Sequence, residues 1–316
     1  MQAEPLITWS EPVREYVGFV SQFLGLGAVG FRFAAVRRNA TSSVRGPHAM
    51  TYRNALQRAA VLGLTGVVVQ AGMFAMGLPQ QATRAHLGVE QLLTTNVQVG
   101  GAAVLFLVAV VGLALAAAGA GGGWYAALVG AVFATLTGAL AGQWSRLVNP
   151  LHRVAGGLWI GTLFVLVVAG LGTVLFDERT REGKGEVAAT MVNGFSPLAL
   201  TCGMVVVASG LTTAWTHLNP LSSLWTTPYG YTLVAKLCIV AVVFGLGAWN
   251  WQRVRPTLGT EDAAHAIRRS GKLELTAAAL VLVASAILVS LPSPKRPAAG
   301  PPTGAAGVPA TTPTPP

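Results

Sequence analysis

The feature that most constrains this chain is a succession of continuous apolar runs, each long enough to cross a bilayer. A helical span needs about 20 apolar residues. Eight runs qualify, at about Val13–Val36, Ala55–Leu78, Thr95–Ala118, Trp124–Gly142, Leu151–Phe176, Ala188–Thr216, Tyr229–Trp251 and Ser270–Leu291. Backbone groups in hydrocarbon must pair internally, so only helices and closed barrels span membranes. The runs are continuous rather than alternating, which argues against a barrel. Composition agrees: 53% of the 316 residues are hydrophobic and 10% are charged, against about 25% charged in soluble proteins. The expectation is an all-α, polytopic membrane protein with eight transmembrane helices in the lipid bilayer.

The net charge of +10 does not point to nucleic acid, because most of the basic residues sit in a few loops between the apolar runs. That distribution is a topology signal. With the N-terminus outside, the inner loops hold thirteen of the 21 lysines and arginines, among them Arg37, Arg38, Arg45 and Arg53. The outer segments hold six, and Arg32 and Lys236 fall within spans. Both termini are therefore expected outside. Glu4, Glu11 and Glu15 precede the first run, which lacks the basic start of a cleavable signal and is expected to remain as a span. Cys202 and Cys238 fall in different runs and make no disulfide framework. A glycine-rich turn at Gly119–Gly123 joins runs 3 and 4, and a mixed-charge loop, Asp177–Glu186, follows run 5. Residues 292–316 hold nine of the 18 prolines and read as a polyproline-leaning disordered tail.

The chain also carries a faint internal copy. Leu92-Leu93-Thr94-Thr95 and Leu224-Trp225-Thr226-Thr227 are 132 residues apart, and ten of 25 positions are identical over 92–116 against 224–248. With a one-residue shift, His86-Leu87 pairs with His217-Leu218 and Met73 with Met204. An even number of spans per half gives both halves the same orientation, related by an axis along the membrane normal. The expected organisation is a first four-helix half over 1–142, a second over 143–291, and the tail 292–316.

Chemistry-bearing residues are few. His48 and His265 lie in inner loops and read as solvated. His86, His152 and His217 all fall at outer ends of spans, and neutral imidazole suits copper. Thioethers favour Cu(I); Met73 and Met76 share a face of run 2, and Met204 lies in run 6, although methionine is also ordinary packing material. Cys202 and Cys238 read chiefly as small apolar residues. Lys236 stands about 10 Å along run 7 from Tyr229. It could pair with a carboxylate, lose its proton, hold an anionic group or snorkel to the interface. Glu274, near the inner end of run 8, is expected to meet Arg253 or Arg255 instead. Trp9, Trp144, Trp215, Trp225, Trp249 and Trp251 sit near span ends as an aromatic belt. No nucleotide-binding glycine loop, nucleophile elbow or His-Glu-x-x-His occurs, so neither an enzyme nor an energy-coupled pump is expected.

His152 followed by Gly156-Gly157-Leu158-Trp159-Ile160-Gly161 resembles the copper resistance protein D (CopD) family of bacterial inner-membrane proteins. So do Phe195-Ser196-Pro197-Leu198-Ala199-Leu200 with Ser209-Gly210-Leu211, and Thr227-Pro228-Tyr229-Gly230 leading to Ala235-Lys236. The resemblance covers about 150–291. It implies a multi-span inner-membrane protein for copper uptake or handling, working beside a periplasmic copper-binding protein, with His152, Trp159, Tyr229, Gly230 and Lys236 at the matching positions. Gln143 stands where the family often has a histidine, which shifts weight to His86 and His217. The expected function is copper transport or handling, with copper, as Cu(I) or Cu(II), accepted at outer-face histidines. The alternatives are a haem b-type intramembrane electron carrier and a scaffold subunit without metal. No histidine lies deep in a run, which counts against haem.

Overall fold

The computed structural model describes residues 8–36, 48–140, 147–176, 183–217, 221–250, 252 and 261–291. The described residues form helices and no strand. We number them α1 (Ser10–Ala35), α2 (Ala49–Arg84), α3 (Val89–Thr95), α4 (Val97–Ala117), α5 (Gly123–Leu140), α6 (Val148–Phe176), α7 (Lys184–His217), α8 (Ser223–Thr226), α9 (Pro228–Trp249) and α10 (Glu261–Ser290). Seven of them, α1, α2, α4, α6, α7, α9 and α10, are long and apolar enough to cross a membrane. The fourth apolar run forms α5, whose 18 residues extend about 27 Å at 1.5 Å per residue. Its described apolar stretch is shorter than those of the other seven. The expected tail 292–316 and most of the loop at Asp177–Glu186 lie outside the described residues.

Helix ends follow local chemistry. Asn96 caps α4, its Oδ1 accepting from the Gln98 and Val99 amides at 3.1 Å each. Thr227 caps α9, its Oγ1 accepting from the Gly230 amide at 3.0 Å, with Pro228 in the first turn, where a missing N–H costs nothing. Each of these caps is preceded by a short helix, α3 or α8, after a helix of more than 30 residues. Several helices outrun their apolar cores: α2 starts at Ala49 and passes through Pro79 to Arg84, and α10 begins at Glu261 rather than near Ser270. Polar residues extend these helices into the water layer, which an apolar run alone cannot reveal.

The bundle is built on α1 and α6, the most enclosed spans, with 56% and 72% of their apolar windows buried. They touch backbone to backbone. A Cβ on Gly27 would lie 2.2 Å from the Gly161 carbonyl carbon, and one on Gly161 would lie 2.0 Å from the Phe23 carbonyl oxygen. Leu26 meets Gly157 and Gly30 meets Thr162 along the same seam, so the two helices run parallel. In lipid, small residues that admit close backbone approach replace the hydrophobic drive of water.

Polar ties fix the neighbours. Arg153 Nε of α6 donates to Gln22 Oε1 of α1 at 3.0 Å, and Gln22 Nε2 donates to Thr135 Oγ1 of α5 at 2.8 Å. Arg58 Nη1 of α2 donates to Thr173 Oγ1 of α6 at 3.1 Å. A second small-residue seam zips α4 to α5 antiparallel, where Cβ atoms on Gly112 and Gly130 would each fall 2.4 Å from a facing backbone nitrogen, of Ala127 and Ala109 respectively.

By contrast, only 11% of the apolar window of α9 is buried. It is held mainly through Tyr229 and Leu233, which cluster with Leu288 and Leu291 of the last span.

Gly161→Val should collide with the Phe23 carbonyl and cost at least about 2 kcal/mol. Gly72→Ala, with no atom within 4 Å of its Cβ, should leave stability unchanged or slightly raised. Thermal unfolding in detergent or nanodiscs compares the two.

Candidate functional site

Polar side chains gather where α6 and α7 pack and α9 faces them. Near the start of α6, Asn149 Oδ1 accepts from Thr213 Oγ1 of α7 at 3.0 Å. About one turn deeper, His152 Nδ1 and Ser209 Oγ are 3.0 Å apart. Deeper again, the Trp159 ring packs on Phe244 of α9, centroids 4.9 Å apart, beside Gly203 of α7. Trp159 lies within a π-helical turn, Gly157–Gly161, a local widening that recurs at functional sites. Gly210 leaves room for the imidazole: a Cβ there would sit 3.4 Å from His152 Cε1.

The direction of the His152–Ser209 contact depends on the histidine tautomer, and the hydrogen bonds around Ser209 favour one. Ser209 Oγ donates back along its own helix to the Val205 carbonyl at 2.5 Å. With that proton committed, the hydroxyl oxygen accepts from the His152 Nδ1–H. Nε2 is then left with a free lone pair, the form of imidazole that ligates metals, held in place by a partner on its other nitrogen.

Lys236 of α9 is half-buried, and its charge lies within electrostatic range of the His152 ring. Among the described residues it makes no ion pair or hydrogen bond.

The other sequence-derived candidates are placed separately. Tyr229 is buried in the small cluster with Leu233, Leu288 and Leu291, a packing position at the start of α9. His86 is exposed, just past the end of α2, at a φ of 54°. His217 closes α7, and its side chain lies outside the described residues. Met73 packs beside Gly18 of α1, whereas Met76 and Met204 are 83% and 59% exposed. Among the described residues, no three His, Cys, Asp or Glu side chains gather closely enough to hold a metal ion. What the fold assembles is His152 with Trp159 and Lys236.

One expectation is corrected. His48 is not a solvated loop residue: its ring packs over Gly183, and its Nδ1 is buried without a partner. Gly183 has a φ of +77°, and a Cβ there would lie 2.7 Å from the imidazole, so the ring and the glycine occupy one tight corner. Glu274 meets Asn250 Nδ2, while Arg253 and Arg255 lie outside the described residues. Ser209, Phe244 and Asn250 were assigned no role from sequence. Each acts on a partner many positions away, which no local spacing announces.

Residues 189–288 match the family model of CopD, copper resistance protein D. A 155-residue stretch is 31% identical to the copper transport protein CutJ of Bacillus subtilis (strain 168), covering 49% of this chain and 27% of that protein. The match thus spans about a quarter of the length of that relative. No solved structure matches the chain significantly.

Ser209→Ala should release the Nδ1–H of His152. Nitrogen NMR of labelled histidine should then show mixed tautomers in place of one, with a stability loss on the order of 1 kcal/mol.

Proposed function

We propose that this chain, whose residues 189–288 match the family model of copper resistance protein D, carries copper across the bacterial inner membrane. His152 is its entry ligand. The observation that carries this reading is the His152–Ser209 pair, which orients a metal-competent Nε2 in a three-helix cleft beside Trp159. Copper is the substrate here, and imidazole suits both of its oxidation states. His86 and His217 serve as further outer-face acceptors, and the methionines as soft ligands along or between helices. A periplasmic copper-binding protein delivers the metal. Lys236 opposes a second bare cation near His152; an anionic ligand arriving with the copper removes that repulsion.

The topology we propose has eight spans in two four-helix halves, over 1–142 and 143–291, with both termini outside. The parallel seam between α1 and α6 supports it. If α1 and α6 run the same way, an odd number of crossings must lie between them, and α2 and α4 supply only two. α5 is the third. The matching order of a long helix, a short helix and a capped span in each half supports a duplicated unit related by an axis along the membrane normal.

His152→Ala should lower copper accumulation about tenfold relative to wild type, in line with the loss of a first ligand or its support. His217→Ala should give a smaller loss. Unchanged uptake in both variants would remove the ligand assignment.

Ser145→Cys, between the fourth and fifth spans, should be labelled by a membrane-impermeant maleimide in spheroplasts. Protection there, with labelling only after lysis, would place that loop on the inner face and overturn the topology.

A further inference from the structure

A second polar site lies at the arginine-rich end of the bundle, away from His152. Glu274 of α10 is 8% exposed, an acid enclosed among membrane helices. Such residues are expensive to place and mark ion or proton pathways. Its partner is Asn250, just past the end of α9, whose Nδ2 donates to Glu274 Oε1. One turn along α10, a Cβ on Gly271 would lie 2.8 Å from Val167 of α6, so the pair sits close against the central helix.

The informative atom is Asn250 Oδ1. It is buried and has no hydrogen-bond partner, a state that costs about 1–3 kcal/mol if it persists. A carboxamide presents a donor and an acceptor side by side, and a carboxylate can use only the donor. A carboxylic acid uses both: Oε1 accepts from Nδ2–H while Oε2–H donates to Oδ1. Protonation of Glu274 therefore satisfies the orphaned oxygen and neutralises the enclosed charge in one step.

Among the described residues, no charged neighbour competes for the carboxyl. On α10, Asp262, His265, Arg268, Arg269 and Lys272 precede it, and the Arg268 guanidinium lies over the Phe176 ring at 4.7 Å. On α7 the nearest charges are Lys184 and Glu186. Arg32 of α1 donates to the Val36 carbonyl at 2.9 Å. α6 has no ionisable residue between Arg153 and Phe176, and those of α9 lie towards its other end. Among the described residues none forms an ion pair with Glu274. A hard metal cation needs about six or more oxygen ligands, and this pair supplies two. The ligand that fits is a proton.

We propose that Glu274 and Asn250 form a proton-binding site, taking a proton from water at the arginine-rich end and returning it, and that proton is the coupling ion for transport through the bundle. The coupling rests on the copper-transport reading; the proton site does not.

Glu274→Gln is the informative variant, because the amide keeps both hydrogen bonds to Asn250 and mimics the protonated acid. Infrared spectra of the purified full chain in nanodiscs would be recorded from acidic to alkaline pH. The expected result is a carboxylic C=O band that disappears as pH rises, is absent in Glu274→Gln and moves to higher frequency in Asn250→Leu. No Glu274-dependent band, or one that persists unchanged at every pH, would overturn the proton site.

In proteoliposomes loaded with wild type, a pH gradient should change copper uptake several-fold. Glu274→Gln should lose the response. An equal response in both would overturn the coupling. If wild-type vesicles take up no copper at all, the copper reading fails, and with it the coupling, while the infrared titration still decides the proton site.

Discussion

Everything in this bundle depends on two helices touching through their backbones. At the Gly27–Gly161 crossing no side chain separates α1 from α6. The seam brings enough dispersion contact to hold helices together where water supplies no driving force. The consequences spread outward. Because the pair is parallel, the chain between them must cross the membrane an odd number of times. α6 is enclosed on most sides, and although Thr162 Oγ1 is buried without a partner, four of its polar residues reach partners on other helices. Arg153, Asn149, His152 and Thr173 each do so, on α1, α7, α7 and α2 respectively.

The hairpins α4–α5 and α9–α10 differ in packing density. The hairpin of α4 and α5 is zipped by alternating glycine and alanine, backbone on backbone. The hairpin of α9 and α10 has no comparable seam: Gly245 and Gly247 face open space, with no atom within 4 Å of a Cβ. α9 is instead fastened near its ends, by Tyr229 and Leu233 at one and by Asn250 at the other. Between these anchors it carries Lys236, whose charge reaches the His152 ring, and Phe244, which packs on Trp159.

Much of the fold was legible in the sequence because membrane insertion writes itself into composition. Runs of spanning length appear as helices at the expected positions, and the glycine turn between α4 and α5 falls at Gly119, with a φ of +94°. Helix ends were less legible, since residues such as Glu261 or Arg84 continue a helix into water without any apolar signature. At the site, Lys236 stood out as a costly residue within an apolar run, and His152 as a candidate ligand at the end of one. Ser209 did not, because serine is common in spans and its value arises only from the imidazole of another helix. Glu274 was noticed, but its amide partner was not: charge complementarity draws attention to arginines, whereas an enclosed carboxyl is also served by an amide, which brings no second charge to desolvate.

The wide turns of α6 alter how its faces are assigned. A π-helical turn accommodates one residue more than an α-turn, and α6 contains two of them, at Gly157–Gly161 and Leu166–Gly170. Each advances the phase of everything downstream by about 100°, the angular share of one residue at 3.6 per turn. A helical wheel drawn through the whole span puts residues beyond Leu171 well over half a revolution from where they stand. His152 and Thr173 therefore belong to separate angular frames. Any comparison of this helix with its neighbour α1, which has a single wide turn at Phe31–Ala35, must align three short rods rather than one long one.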